Sequence, residues 1–376
     1  MTQAVKPAPK RQAKTQDVVK PRDSWVRMAT AVNSSRTVND LLTRAGLKGW
    51  DVRPEPVFAL VPTPACTECE QPVGKKHKQG CFIGTPDEGE EYDGLVSKDD
   101  TAVHVELPRS WGLVRNNPLT GQPEGIATCR REFRPIPIED RASILTEIVK
   151  QTGAKFGPAG PLWDNEGAFA SVVLPDSVKV NRVDELAVRL VLVTALAPGR
   201  KSFVLVQPLR AASGTLQFFG GDDRLELSDE DSADLRLTEA GQAQDLAVRY
   251  GEWIAGEAAE LQRAKMTDNQ FHTVLNEVWP YPGDGAPAIV RETYTVRREL
   301  AKTMFEGKVD LFAKIKGTRW GALQAVWTAN EHAFTAKTQD DEALRRDRAE
   351  RVALGKGPSD AVHKVAKAAF ELIKGA

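Results

Sequence analysis

The sequence predicts an α+β fold: a helix-covered antiparallel sheet carrying a Cys/His metal-site insert and followed by a helical C-terminal region. Three observations predict it. A helical pattern near Glu139 to Thr152 precedes three extended apolar runs, the arrangement of an antiparallel sheet with a face under helix. Three of the four cysteines lie between Cys66 and Cys81, inside a turn-rich, charged stretch. Beyond residue 235, apolar residues recur at helical spacing almost to residue 376.

Composition bounds the classes. The chain has 376 residues, 41% of them hydrophobic, which supports a sizeable core and excludes a wholly disordered protein. A formal net charge of −1 excludes a globally basic nucleic-acid protein and leaves local patches to carry any phosphate contact. No run of 18 apolar residues occurs and the first residues lack the apolar stretch of a secretory signal, so the expectation is a cytoplasmic protein without a membrane partner. Cysteines clustered this way suit a metal site in a reducing compartment better than a disulfide framework.

Along the chain, residues 1–24 read as a disordered basic tail, with Lys6, Lys10, Arg11, Lys14, Lys20 and Arg22 against few apolar side chains. An α+β domain is expected over 25–235. It opens with a helix from Thr37 to Gly46, where Val38, Leu41, Leu42 and Ala45 share a face, and continues with extended runs at 50–52 and 57–61. The insert spans 62–106 and includes the acidic stretch Asp87 to Asp93. A strand follows over Ile126 to Phe133, then the Glu139–Thr152 helix stopped by Gly153, then strands over 168–174, 186–196 and 202–208, the last two joined by Ala197-Pro198-Gly199-Arg200. The helical domain is expected over 236–376. Its segments run from Thr238, from Thr267 to Trp279, and over 290–306, 318–334, 339–353 and 358–374.

The sharpest constellation is Cys66-x2-Cys69-x7-His77-x3-Cys81 beside Lys75, Lys76 and Lys78. Two short ligand pairs bridged by a turn supply the tetrahedral set that structural zinc takes, in the manner of a zinc knuckle; free or redox-active thiols are the competing reading. A site with four protein ligands leaves no open position for water, which makes it a staple or a binding finger rather than a hydrolase centre. Cys129 reads as a buried small hydrophobe.

A second constellation interleaves Arg297, Arg298, Lys302, Lys314, Lys316 and Arg319 with Phe305, Phe312 and Trp320. Cations tracking a backbone beside aromatic faces suit single-stranded nucleic acid. The bland alternative is a solvated helix face over a core made by those aromatics. Arg189, Arg200, Lys201 and Arg210 on the sheet extend the candidate nucleic-acid surface. The acidic stretch at 87–93 could serve a divalent ion, although no calcium-loop spacing is present. No phosphate-binding loop, nucleophile elbow or H-E-x-x-H motif occurs, so no catalytic residue is assigned.

The run Thr318-Arg319-Trp320-Gly321-Ala322-Leu323-Gln324-Ala325-Val326, with His332 downstream, resembles the T-x-W-G-x-x-N-A-V motif of a phage and plasmid family of unknown function. Gly49-Trp50-Asp51-Val52, Arg134-Pro135-Ile136-Pro137 and Pro208-Leu209-Arg210 with Thr215-Leu216 match further landmarks in order. Ala212, Ser213 and Gly214 stand where the family has Cys-x-Asn, and the Cys/His insert is not a general family feature. The resemblance implies a phage or prophage origin, and the order of elements is similar to phage single-strand annealing proteins at the level of fold. The expectation is a phage single-stranded DNA-binding protein acting in annealing, recombination or replication as a homo-oligomer, with structural zinc and a phage or host DNA-metabolism protein as partner. A regulatory or host-interaction factor without nucleic-acid binding, and a metal-dependent nuclease, are the alternatives.

Overall fold

The computed structural model describes residues 23–31, 35–79, 81, 95–96, 101–219, 223–230, 232–333, 342–355 and 361–376. The basic segment 1–22 and the acidic stretch 87–93 lie outside the described residues. The chain divides into a larger unit (1–48, 136–195, 201–376) and a smaller one (49–135 with 196–200). Within the larger unit the C-terminal helices pack on the sheet as well as on one another.

The smaller unit is a three-stranded antiparallel sheet in the order β1 (Arg53–Pro62), β2 (Ala102–Asn116), β3 (Pro123–Cys129). The pairing of Pro62 with Ala102 closes the hairpin across the insert, and a bulge between Pro56 and Phe58 sets the register. At its base Trp50 is buried beneath Arg115, whose guanidinium carbon lies 4.1 Å from the ring centroid and whose Nη2 meets Glu124 at 2.7 Å.

The larger unit begins with α1 (Ser24–Met28) and α2 (Val38–Arg44), capped by the side chains of Asp23 and Thr37. Helix α3 (Ile138–Thr152) ends at Gly153, whose φ of 71° is left-handed. A six-stranded antiparallel sheet follows: β4 (Lys155–Leu162), β5 (Gly167–Val180), β6 (Asp184–Ala195), β7 (Phe203–Arg210) and β8 (Thr215–Leu216) in that order, with β9 (Arg224–Glu226) also on β7. The helices α4 (Ala233–Arg263), α5 (Asp268–Val278), α6 (Ala288–Phe305), α7 (Arg319–His332), α8 (Glu342–Leu354) and α9 (Ala361–Gly375) complete it.

Helix covers both faces of this sheet. Val191, Val193, Phe203 and Leu205 pack with Trp25 and Met28 of α1 and Val352 and Leu354 of α8. Strand side chains alternate, so Leu190 and Leu192 point the other way, where α3 and α4 lie on β5 and β6.

Helix α7 is the centre of the helical layer: every residue from Trp320 to His332 is buried. Thr318 caps it by accepting from Gly321 N at 3.0 Å while donating to Ile315 O at 2.7 Å. Gly321 is required by space, since a Cβ there would stand 2.1 Å from the Ile315 carbonyl oxygen. Polar side chains on the buried helix find partners in strand β8 and the residues beside it: Gln324 Nε2 donates to Gln217 at 2.6 Å and Thr328 Oγ1 lies 2.9 Å from Thr215 Oγ1. The Trp320 indole donates to Asp184 at 2.9 Å.

Candidate metal centre

Between the end of β1 at Pro62 and the start of β2 at Ala102, the described residues form two short turns. The first is closed by the bridge of Ala65 with Pro72 and by Cys66 N donating to Gln71 O at 2.8 Å. Within it Glu70 N reaches back to Cys66 O at 2.9 Å, and Glu70 adopts a φ of 60°, a left-handed conformation that turns the chain directly after Cys69. The second is held by Gly74 N to Val96 O at 2.9 Å and Val96 N to Lys75 O at 2.8 Å, with Cys81 N bonded to Lys78 O at 3.1 Å.

These turns bring Cys66, Cys69, His77 and Cys81 together, with their ligand atoms all within 4.8 Å of one another. The sulfurs of Cys66 and Cys81 lie 3.9 Å apart, Cys69 Sγ lies 3.4 Å from His77 Nδ1, and His77 Nδ1 lies 3.2 Å from Cys81 Sγ. A zinc tetrahedron with its usual bond lengths has edges of about 3.8 Å between sulfurs and about 3.5 Å between sulfur and nitrogen, so the donor set fits a metal ion. The three cysteines and Val96 form a small buried cluster of their own. Burial pushes the Cys69 thiol up, but hydrogen bonds from the Lys78 and Gln71 backbones and from His77 and Cys66 outweigh it and bring it down to about 6. Thiolate is the form a metal takes, so the site is electrostatically ready for a cation.

The predicted basic surface is only partly a surface. Arg189 is buried and makes two hydrogen bonds to Asp23, at 2.8 and 3.1 Å. Arg210 is buried between Asp184 (2.6 Å), the Leu311 carbonyl (2.6 Å) and the Phe312 ring. Arg298 is buried on the carbonyls of Leu275 and Trp279 and the side chain of Asn276. These three are internal braces and drop out of the nucleic-acid surface. The interleaved aromatics are core: Phe305 stacks on Phe271 at 4.2 Å, and Phe312 and Trp320 are buried.

Arg200, Lys201, Lys302, Lys314 and Lys316 are exposed, Lys201 pairing with Asp229 at 2.5 Å. Arg319 is partly buried and donates to Lys374 O at 2.9 Å, and Arg297 is partly buried on α6. Cys129 is half-buried, and burial raises its thiol.

A buried polar cluster escaped the sequence reading. The Glu331 carboxylate accepts from Ser24 and Leu216, and His332 lies between Arg27 Nη2 at 2.8 Å and Thr215 Oγ1 at 3.4 Å. The one signal was a polar Asn-Glu-His ending on an otherwise apolar helix. Burial pushes Glu331 up to about 7 and His332 well below its usual value, so the imidazole is neutral.

Fold and site together define an α+β protein with a closed cluster of three cysteines and one histidine that can hold a metal ion such as zinc. Residues 126–350 match the model of a family described as a domain of unknown function, DUF932. That is more than half of the chain, which therefore belongs to this family. The metal cluster precedes the matched residues. No curated protein and no solved structure matches the chain. No described helix is long and apolar enough to cross a membrane.

Proposed function

We propose that the protein binds single-stranded DNA through its smaller unit, with zinc in the three-cysteine, one-histidine cluster as a structural staple. The observation that carries this reading is the position of that cluster. It sits at the end of a β-hairpin among the exposed lysines Lys75, Lys76 and Lys78, and the adjoining strands expose Phe58 and His104, whose rings meet edge to face at 6.5 Å. Lysines beside aromatic faces are the pairing that single strands use, cations for the phosphates and rings for the bases. A fully ligated metal would orient this surface without providing a reactive water.

In this reading the protein acts in phage annealing, recombination or replication, as a homo-oligomer, beside a phage or host DNA-metabolism partner. Titration of labelled single- and double-stranded DNA by fluorescence anisotropy across a salt series tests it. Single-strand binding that weakens with a log–log slope of about −0.7 per phosphate contact supports it, and no binding at low salt removes it. One observation favours a second reading, a protein-binding factor: Leu60, Val61, Val105 and Leu107 are exposed on the same hairpin. Capture of a protein partner that survives nuclease treatment, without DNA binding, would favour that reading.

A further inference from the structure

A groove of about 610 Å³ lies between strand β5 and helix α4 of the larger unit, lined also by Val188 of β6 and by the end of α3. That volume falls in the range of about 300–1,000 Å³ that small organic ligands fill. The strand helps to open it. Between the pairs Val173 with Arg189 and Ser177 with Ala187, three residues of β5 stand against Val188 alone, and this bulge brings Leu174, Pro175 and Asp176 into the lining.

The helix keeps it open. Ala247, Gly251 and Ala255 recur every fourth residue on α4 and share the face that lines the groove, so this stripe presents no bulky side chain to it. Space does not require the glycine: a Cβ at Gly251 would meet only Val178 Cγ2, at 3.7 Å, an ordinary contact. Glycine inside a helix is less favourable than alanine, so the groove is left open against local helix propensity.

The lining is mostly apolar, and its Val248 is 58% exposed. Two carboxylates stand among these apolar groups, Asp176 from the strand and Glu252 from the helix. Both are exposed, and neither has a hydrogen-bond or ion-pair partner among the described residues. Lys179 also lines the groove but is engaged by Glu185 at 2.6 Å. Apolar walls carrying two uncompensated negative charges complement a ligand that is apolar along its body and positive at one end.

We propose that this groove binds a small organic ammonium ion, its hydrocarbon body lying against Leu174, Val178, Val188 and the small residues of α4 and its cation held by Asp176 and Glu252. The site lies in the larger unit and stands independently of the hairpin reading.

The test titrates the full chain calorimetrically at neutral pH with octylammonium and, separately, with 1-octanol and octanoate, which keep the hydrocarbon and change the charge. Saturable binding of octylammonium is expected, about tenfold or more tighter than that of octanol, with octanoate weakest. Asp176→Asn combined with Glu252→Gln is expected to bring octylammonium down to the affinity of octanol and to leave octanol binding unchanged. Both residues are exposed and unpartnered, so the double change leaves the fold intact. Gly251→Leu puts a side chain into the groove and is expected to weaken octylammonium and octanol alike by about tenfold or more. The proposal is overturned if octylammonium does not bind saturably, if octanol or octanoate binds as tightly, or if either variant binds octylammonium as the wild type does.

Discussion

The Glu331 carboxylate receives the Ser24 hydroxyl at 2.8 Å and the Ser24 backbone N–H at 3.2 Å, joining α7 to α1 across 307 residues of sequence. Its second oxygen accepts from Leu216 N at 2.8 Å, so one buried side chain ties helix α1, strand β8 and helix α7 together. The larger unit is therefore organised around polar contacts on a helix that is otherwise core.

This carboxylate makes stability depend on pH. Its folded value is raised from 4.5 to about 7, so folding binds a proton here, and the stabilisation is complete below about pH 4.5 and is lost as pH rises through about 7. The loss amounts to about 3 kcal/mol. His332, held low, runs the other way and loses its contribution as pH falls below about 6.5. Glu331→Gln is expected to be less stable at all pH values, because its amide meets Leu216 N–H donor to donor, and to lack the decline between about pH 5 and pH 8. Denaturant midpoints across that range give the answer; an unchanged pH dependence would exclude Glu331 as its source.

The second prediction concerns Asp23 and Arg189, a pair whose side chains are 4% and 6% exposed. Asp23→Asn leaves the guanidinium buried without its counter-charge, and a loss of about 3–5 kcal/mol is expected in chemical denaturation. A change under about 1 kcal/mol would mean that water reaches the pair and that the brace is weak.

Gly321→Ala forces a methyl carbon against the Ile315 carbonyl oxygen at the first turn of α7. Backbone on both sides leaves little room to relax, so a loss of about 3 kcal/mol or more is expected from calorimetric unfolding. Near-wild-type stability would show that the turn at Ile315 to Thr318 yields.

For the metal centre, one zinc per chain is expected in elemental analysis, with Cys66→Ser and Cys69→Ser each lowering it below half. Chelation is expected to unfold the turns around the cluster while the larger unit keeps its thermal transition, because metal affinity and local folding are the same free energy. Full occupancy in both serine variants would place the metal elsewhere.

How much of this was legible follows the range of the interactions. The helices announced themselves through local chemistry: Thr37, Thr267 and Thr318 cap α2, α5 and α7, and Gly153 stops α3. The metal ligands were equally local, four residues within one short stretch. Strand β2 was missed over its whole length, Ala102–Asn116, because its first half fell inside the expected insert and Glu106, Pro108 and Arg109 interrupt an alternating pattern that pairing with β1 sustains. Strand β4, Lys155–Leu162, was missed because its glycines and prolines read as loop, while β5 and the bridge from Ala31 supply its partners. The buried arginines were misread for the same reason: the partner of Arg189 is 166 residues away, and nothing near it in sequence identifies Asp23.

The measurement that tests the central claim most directly is anisotropy of a labelled single-stranded oligonucleotide, titrated with zinc-loaded wild type and with a variant carrying Lys75→Gln, Lys76→Gln and Lys78→Gln. The three lysines are exposed and none is a metal ligand, so zinc content and unfolding temperature serve as controls. The account predicts single-strand binding by the wild type that the variant weakens by about tenfold or more, with a shallower salt dependence because up to three phosphate contacts are gone. Equal affinity and equal salt dependence in the two proteins would contradict it.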